Sequence, residues 1–313
     1  MQAVTIMILI SLRLFFETST IERASTSERN YIMPTNRKKF LDNFFKSEGS
    51  SRPKPKKNSG YRPKSQGKKT PLYVLLIFIA AQLSPILFIS PTLNYFLDQG
   101  MDQEAAGVAT SGWLIFLTMG IGFILTLLVI FRDKRFFDIW KGTKSTVFMS
   151  VVWGLLGFLL LLIGQSIAAL IEMQLLGIDP GSENTASLVN IAEAVPLAIV
   201  SIVLFGPILE ELVFRRVLFG SLNQTTNFFF ATAVSALVFA LIHFDFTHLL
   251  LYFTTGLILA FLYQKTKRII TPIIAHMCLN GYVMVIQLNM DKILEFQKQM
   301  ENLQKTGFFF LLQ

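Results

Sequence analysis

The chain has 313 residues, 52% of them hydrophobic and 15% charged, with 30 phenylalanines and a mean hydropathy of +0.54. Soluble domains carry charge at roughly a quarter of their positions, so this composition excludes an ordinary soluble domain and points to a membrane protein. The formal net charge is +8, but 12 of the 28 lysines and arginines lie between Arg37 and Lys69, just ahead of the first long apolar stretch; that placement reads as a cytoplasmic contact with anionic lipid rather than a nucleic-acid surface.

Residues 1 to 70 differ from the rest. Ala3 to Phe16 is apolar, but it is shorter than the roughly 20 residues of a span and contains Arg13. No small-residue cleavage site follows, so it is also a poor signal peptide. Met33, with a basic run behind it, is an alternative start that would leave residues 1 to 32 upstream. Ser47 to Thr70 is rich in Lys, Pro, Ser and Gly; it cannot bury enough apolar surface to offset its ordering entropy and is expected to be disordered.

From Pro71 onward there are seven apolar stretches, near 71–90, 111–131, 147–171, 195–214, 228–244, 249–264 and 270–288. The fold class is therefore all-α, a polytopic helical membrane protein with about seven transmembrane helices and room for an eighth, reentrant or surface element. Residues 71–190 form an N-terminal block of spans, 191–290 a second block, and 291–313 a short polar tail.

Orientation follows from the positive residues, which cytoplasmic loops retain. With the N-terminus inside, the inner segments hold five basic residues at 132–144, then Arg215 and Arg216, then Lys265, Lys267 and Arg268. The outer loops 91–110 and 172–194 hold none and carry acids instead, among them Asp102, Glu172 and Asp179. The Lys-, Phe- and Ile-rich composition fits a low-GC bacterium, and so a bacterial plasma membrane.

Charged groups within spans are costly and usually have a function or a partner. Glu210 and Glu211 close the fourth stretch, with Arg215 one turn on. All three histidines, His243, His248 and His276, fall in the last membrane region. Glu211 and Arg215 are i,i+4 and should pair along one helix face, leaving Glu210, rotated by roughly 100°, free. His276 and Asn280 share a face in the same way, and Phe239 with His243 repeats the interval.

A carboxylate, two imidazoles and an amide in a cavity within the membrane suit hydrolysis. Partial desolvation favours the neutral form of a carboxyl group, which suits Glu210 to take a proton from water. His243 would help to hold that water. His276 and Asn280 could steady the oxyanion of a tetrahedral intermediate, at roughly 3 kcal/mol per donor. The same set also has the chemistry to hold a divalent metal such as zinc, and the choice between the two stays open. There is no H-E-x-x-H, no G-x-S-x-G elbow, and no imidazole at i±3 or i±4 from Cys278, the single cysteine, for which no disulfide-linked partner is expected.

E-E-x-x-x-R (Glu210, Glu211, Arg215), F-x-x-x-H (Phe239, His243) and H-x-x-x-N (His276, Asn280), in that order on successive helices, resemble the CAAX prenyl endopeptidase and bacteriocin-processing (CPBP, or Abi) family of intramembrane endopeptidases. The resemblance covers residues 195 to 288, the region of the second block. It implies that Glu210 activates water with His243, that His276 and Asn280 form the oxyanion side, and that Glu211 and Arg215 support the site, beside Phe239. Members are described both as metalloproteases and as metal-free glutamate enzymes. The implied substrates are prenylated C-terminal peptides in eukaryotes and, in bacteria, peptides or membrane proteins linked to bacteriocin maturation or self-immunity. His248 matches no motif position.

Two other functions use the same residues. A proton-coupled transporter would use them as a relay, but residues 71–171 and 195–288 show no internal repeat. A non-catalytic immunity or scaffold protein would keep the fold and tolerate loss of Glu210. One conflict of depth also stands. In the simple topology Glu210 ends its span at the inner face, His243 ends its own at the outer face, and His276 lies about 9 Å in from the inner face.

Overall fold

The computed structural model describes residues 69–179 and 181–311, with side chains for all of these except Glu183 and residues 301–311. The basic N-terminal segment, both candidate starts and the lipid contact expected there lie outside the described residues, apart from its last two positions.

Helices α1 (Thr70–Leu83) and α2 (Pro85–Asp98) make one apolar run of 29 residues, broken at Ser84. Pro85 has no N–H to continue the ladder. Asp102 then caps α3 (Gln103–Phe131) by accepting from the Ala105 N–H at 2.9 Å, and Thr146 caps α4 (Val147–Leu176) from Met149 at 3.2 Å. A left-handed Gly177, φ 66°, ends α4. Ser182 caps the short α5 (Glu183–Ala194), which falls in the loop expected at 172–194.

After α5 the chain forms α6, residues 198–225, then α7 (Phe228–Leu241), α8 (Leu249–Thr266), α9 (Ile270–Leu288) and α10 (Met290–Leu311). The tail read from sequence as a polar segment is thus helical. Five elements, residues 70–98 together with α3, α4, α8 and α9, are long and apolar enough to cross a membrane. The shorter α7 is also apolar, and among the described residues there is no strand. The molecule is an all-α polytopic membrane protein.

Apolar side chains gain little by leaving lipid for one another, so such helices associate through close packing at small residues. Accordingly α3 and α4 expose Ile121, Ile124, Leu128, Leu155, Leu159 and Ile163 and turn glycines inward. A Cβ at Gly154 would lie 2.8 Å from Ile274 Cβ, and one at Gly256 would lie 2.7 Å from Ala236 Cα. These approaches bring α9 onto α4 and α8 onto α7.

Helix α6 packs against α1, α3, α7, α8 and α9, and two stretches of it, Ser201–Phe205 and Glu211–Phe219, are π-helical. Such widened turns are rare and occur often at functional sites. This helix corrects the sequence reading. A boundary at 214, with Arg215 and Arg216 in an inner loop, is replaced by a helix running to Thr225 with both arginines buried, at 0% and 2% exposure.

Each arginine has compensation for its burial. Arg215 Nε lies 3.1 Å from Glu211 Oε2 and its guanidinium 4.4 Å above the Phe239 ring. Arg216 Nε donates to the Phe136 carbonyl and its guanidinium lies 4.4 Å above that ring. Positive residues mark loops only when they are free to sit in water. The conflict of depth ends here, because Glu210 is now mid-helix and His243 follows an α7 of only 14 residues.

The 132–146 linker, the α8–α9 turn and Arg216 meet at one end of the bundle. Lys267 Nζ donates to the Lys141 carbonyl at 2.8 Å, Arg268 Nε to the Ser145 carbonyl, and Ser145 N–H to the Thr266 carbonyl at 3.0 Å. The 177–182 segment and the 242–248 loop meet at the other end, where Ser182 Oγ donates to Asp245 Oδ2 at 2.6 Å.

Candidate active site

Three helices supply the residues of the three motifs. Mid-way along α6, at the junction of a short α-helical turn and the second π-helical stretch, successive residues Glu210 and Glu211 point to different surroundings. Glu211 is fully buried. Its Oε1 accepts from His276 Nδ1 on α9 at 2.9 Å, and its Oε2 faces Arg215. An ionised carboxylate between an imidazole N–H and a guanidinium has opposite charge or a donor on each side, which is what makes a fully buried charge tolerable.

The Glu210 side chain keeps 16% of its surface exposed, and its Oε2 lies 3.8 Å from His276 Nε2. That is longer than a hydrogen bond. Since Glu211 is acceptor only, the His276 Nδ1 carries the proton and Nε2 is the atom turned to Glu210. The imidazole is thus fixed by a carboxylate behind it and open to a carboxylate in front.

His243 lies in the turn just beyond α7 and folds back on the helix end, where Nδ1 donates to the Phe239 carbonyl at 2.8 Å. A carbonyl can only accept, so in the neutral ring Nδ1 bears the hydrogen and Nε2 is bare. The Phe239 ring is a wall shared by the whole group. It is 1% exposed, with centroids 4.7 Å from His243 and 5.8 Å from His276, and Arg215 on its face. Asn280, one turn along α9 from His276, donates from Nδ2 to the Ile202 carbonyl at 3.0 Å, in the first π-helical stretch of α6. Cys278 between them is partly exposed on another face.

Three histidine, cysteine or acidic side chains able to hold a metal do not converge anywhere among the described residues. Within the site, Glu211 is committed to Arg215 and His276, and each imidazole gives its Nδ1 to a protein acceptor, which leaves Nε2 as the ring atom a metal would take. Glu210 and these two Nε2 atoms are the groups that would hold a divalent metal, which would polarise a bound water or carbonyl there.

Residues that the motifs do not contain complete the surroundings. Tyr252 of α8 stacks on the His243 ring, with centroids 4.2 Å apart and planes at 25°. His248 Nδ1 bonds Glu172 Oε2 at 2.9 Å, while Glu172 Oε1 accepts from the Leu251 N–H at 3.3 Å and so caps the start of α8. Burial alone would lower the His248 pKa, but the hydrogen bond to Glu172, the nearby Asp245 and the Gly181 carbonyl outweigh it and raise the value above 6.5. The sequence placed Glu172 in the loop expected at 172–194, and it is the extent of α4 to Leu176 that puts this acid inside a long apolar helix.

Comparison with known proteins agrees with the motifs. Residues 192–282 match the family described as type II CAAX prenyl endopeptidase Rce1-like. The chain is 36% identical over 216 residues to the Bacillus subtilis (strain 168) protein named "Putative membrane peptidase YdiL", covering 69% of this chain and 88% of that one. It is 35% identical over 225 residues to the "Membrane-embedded CAAX protease MroQ" of Staphylococcus aureus (strain USA300), with the same two coverages, 69% and 88%. No solved structure matches. The three motifs meeting on α6, α7 and α9, together with relatives matched over most of their length, make this chain a member of the CAAX prenyl endopeptidase and bacteriocin-processing family of membrane endopeptidases.

Proposed function

We propose that the protein is an intramembrane endopeptidase that hydrolyses a peptide bond with a water molecule activated by Glu210. The observation that carries this reading is the contrast between adjacent acids: Glu211 is spent on Arg215 and His276, while Glu210 is partly open beside the His276 Nε2. Glu210 takes a proton from water as the new C–O bond forms, and the bare His243 Nε2 accepts that water's second hydrogen as a hydrogen bond. The Asn280 amide lines the oxyanion side, and His276 joins it as a donor when its Nε2 also carries a proton. When the C–N bond breaks, the proton on Glu210 passes to the leaving nitrogen, which restores the carboxylate.

The substrate is a peptide or membrane protein presented within the bilayer. The names of the relatives support a substrate of the CAAX-protease kind, and the family's association with bacteriocins extends it to peptides of self-immunity. Both named relatives are bacterial, which together with the charge pattern supports a bacterial plasma membrane with the N-terminus in the cytoplasm.

The test is terminal-peptide mass spectrometry on membranes from cells making wild type or Glu210→Gln at matched levels. New peptide ends seen only with wild type are expected, and they would name the substrate. Identical ends from both, with both proteins folded and inserted, would favour a non-catalytic immunity or scaffold role.

A further inference from the structure

His243 is the one motif residue that lies outside a helix. It lies two residues beyond the end of α7 at Leu241, and the next residue, Phe244, has a left-handed φ of 55°. Imidazole χ2 is a broad torsion with no sharp staggered well. The bond from Nδ1 to the Phe239 carbonyl fixes one edge of the ring, and Phe239 bounds one side at 59° to it. The other ring contact is Tyr252, stacked at 4.2 Å with planes at 25°.

Tyr252 is itself anchored by a chain of hydrogen bonds whose directions follow from chemistry. The Asp245 carboxylate can only accept, so the Ser182 hydroxyl spends its hydrogen on Asp245 Oδ2 at 2.6 Å. Ser182 Oγ can then only accept in its 3.0 Å contact with the Tyr252 hydroxyl, so the tyrosine is the donor. The Tyr252 oxygen in turn accepts from Asn184 Nδ2 at 3.2 Å. Asp245 is two residues from His243, and its other oxygen accepts the His248 N–H at 3.2 Å. The ring that stacks on His243 and the loop that carries His243 are therefore tied to the same serine, which also caps α5, the helix that leads into α6.

We propose that Tyr252 is a positioning residue, which holds the His243 imidazole in one rotamer and one tautomer with its bare Nε2 turned toward the reacting water. Ser182, Asn184 and Asp245 act through it. This rests on the hydrolytic reading above, so the experiment has one arm that needs catalysis and one that does not.

In the first arm, kcat and KM are measured in nanodiscs for wild type, Tyr252→Leu and Tyr252→Phe, with Glu210→Gln as the blank, on a peptide found by the terminal-peptide comparison. Tyr252→Leu should lower kcat roughly 10- to 100-fold, the scale of a misplaced catalytic group, with KM within about twofold. Tyr252→Phe keeps the stacked ring but loses the hydroxyl that Ser182 and Asn184 hold, and its kcat should fall between those of Tyr252→Leu and wild type.

In the second arm, the imidazole nitrogens and ring protons are read by NMR on histidine-labelled protein. With only three histidines, His243 is assigned by substituting the other two. Wild type should show His243 as a single Nδ1–H tautomer with ring protons shifted upfield by Tyr252. Tyr252→Leu should show averaged tautomers and no upfield shift.

A kcat for Tyr252→Leu within about twofold of wild type, or a loss of activity with the His243 signals unchanged, overturns the proposal. If Tyr252→Leu does not fold, the wild-type spectrum decides, since averaged tautomers or the lack of an upfield shift there overturns it equally. If wild type cleaves nothing while its His243 signals respond to Tyr252 as described, it is the hydrolytic reading that fails and the coupling of the two rings that stands.

Discussion

At the scale of single residues the site separates two adjacent glutamates into two jobs. Glu210→Gln keeps shape and removes the proposed base, so it should lower the hydrolysis rate by about 10²- to 10⁴-fold while its unfolding curve overlays that of wild type. Glu211→Ala should behave differently. It leaves Arg215, which is 0% exposed, buried without its carboxylate, a loss of about 3–5 kcal/mol. The expected result is a low yield of folded protein, seen by size-exclusion chromatography in detergent, with activity falling in step. The i,i+4 spacing was enough to tell these two acids apart in sequence. The i,i+4 Phe239–His243 spacing likewise foretold that the two rings lie side by side, although α7 ends at Leu241 and His243 reaches Phe239 from the turn beyond it. What it could not give was Tyr252, because a stack between α7 and α8 depends on how two helices lie side by side.

At the scale of elements, close helix contact and capping fix where the site residues end up. Gly256 on α8 meets the backbone of Ala236 on α7, and these are the helices that carry Tyr252 and precede His243. Gly256→Leu should overpack this contact and destabilise the protein by about 1–3 kcal/mol, measurable as a lower midpoint of thermal unfolding in detergent.

The start of α8 is held by Glu172 and His248, and its contribution depends on pH. The folded-state His248 pKa is raised above 6.5, so the stabilisation is fully present below about pH 6.5, the unfolded value, and is lost as pH rises through the folded value. Thermal unfolding of wild type and His248→Gln should therefore differ most on the acid side and converge as the solution becomes alkaline. A gap that widens with rising pH would show that this histidine is neutral in the folded protein. The sequence placed Glu172 in a loop because hydropathy alone ended the third span at 171. Helix α4 continues because Gly177, not the acid, supplies the left-handed stop.

At the scale of the whole molecule, one helix, α6, is surrounded by α1, α3, α7, α8 and α9, and that surrounding is what allows four charged residues within it. In lipid each would be expensive; inside the bundle they find a guanidinium, an imidazole, an aromatic face or a carbonyl. Because potential ligands do not converge in threes among the described residues, dialysis against a strong chelator should leave hydrolysis unchanged in purified, reconstituted protein. Loss of activity that returns on adding zinc would overturn the role given to Glu210 as unaided base.

The amino-acid sequence determined the class of molecule, the existence of its helices and the identity of the motif residues, because hydropathy, capping residues and i,i+4 spacing are local quantities written along the chain. It placed Arg215 and Arg216 at a membrane boundary, since a lone charge is indistinguishable from a paired one until its partner is known. Glu211 is one turn from Arg215, but the other partners are distant in the chain: Phe136 for Arg216, Phe239 for Arg215 and His276 for Glu211. Only the tertiary structure could decide the length of α6, the shared depth of Glu210 and His276, and the stack of Tyr252 on His243. Each is set by contacts between helices, where the energy of a buried charge or an oriented ring resides.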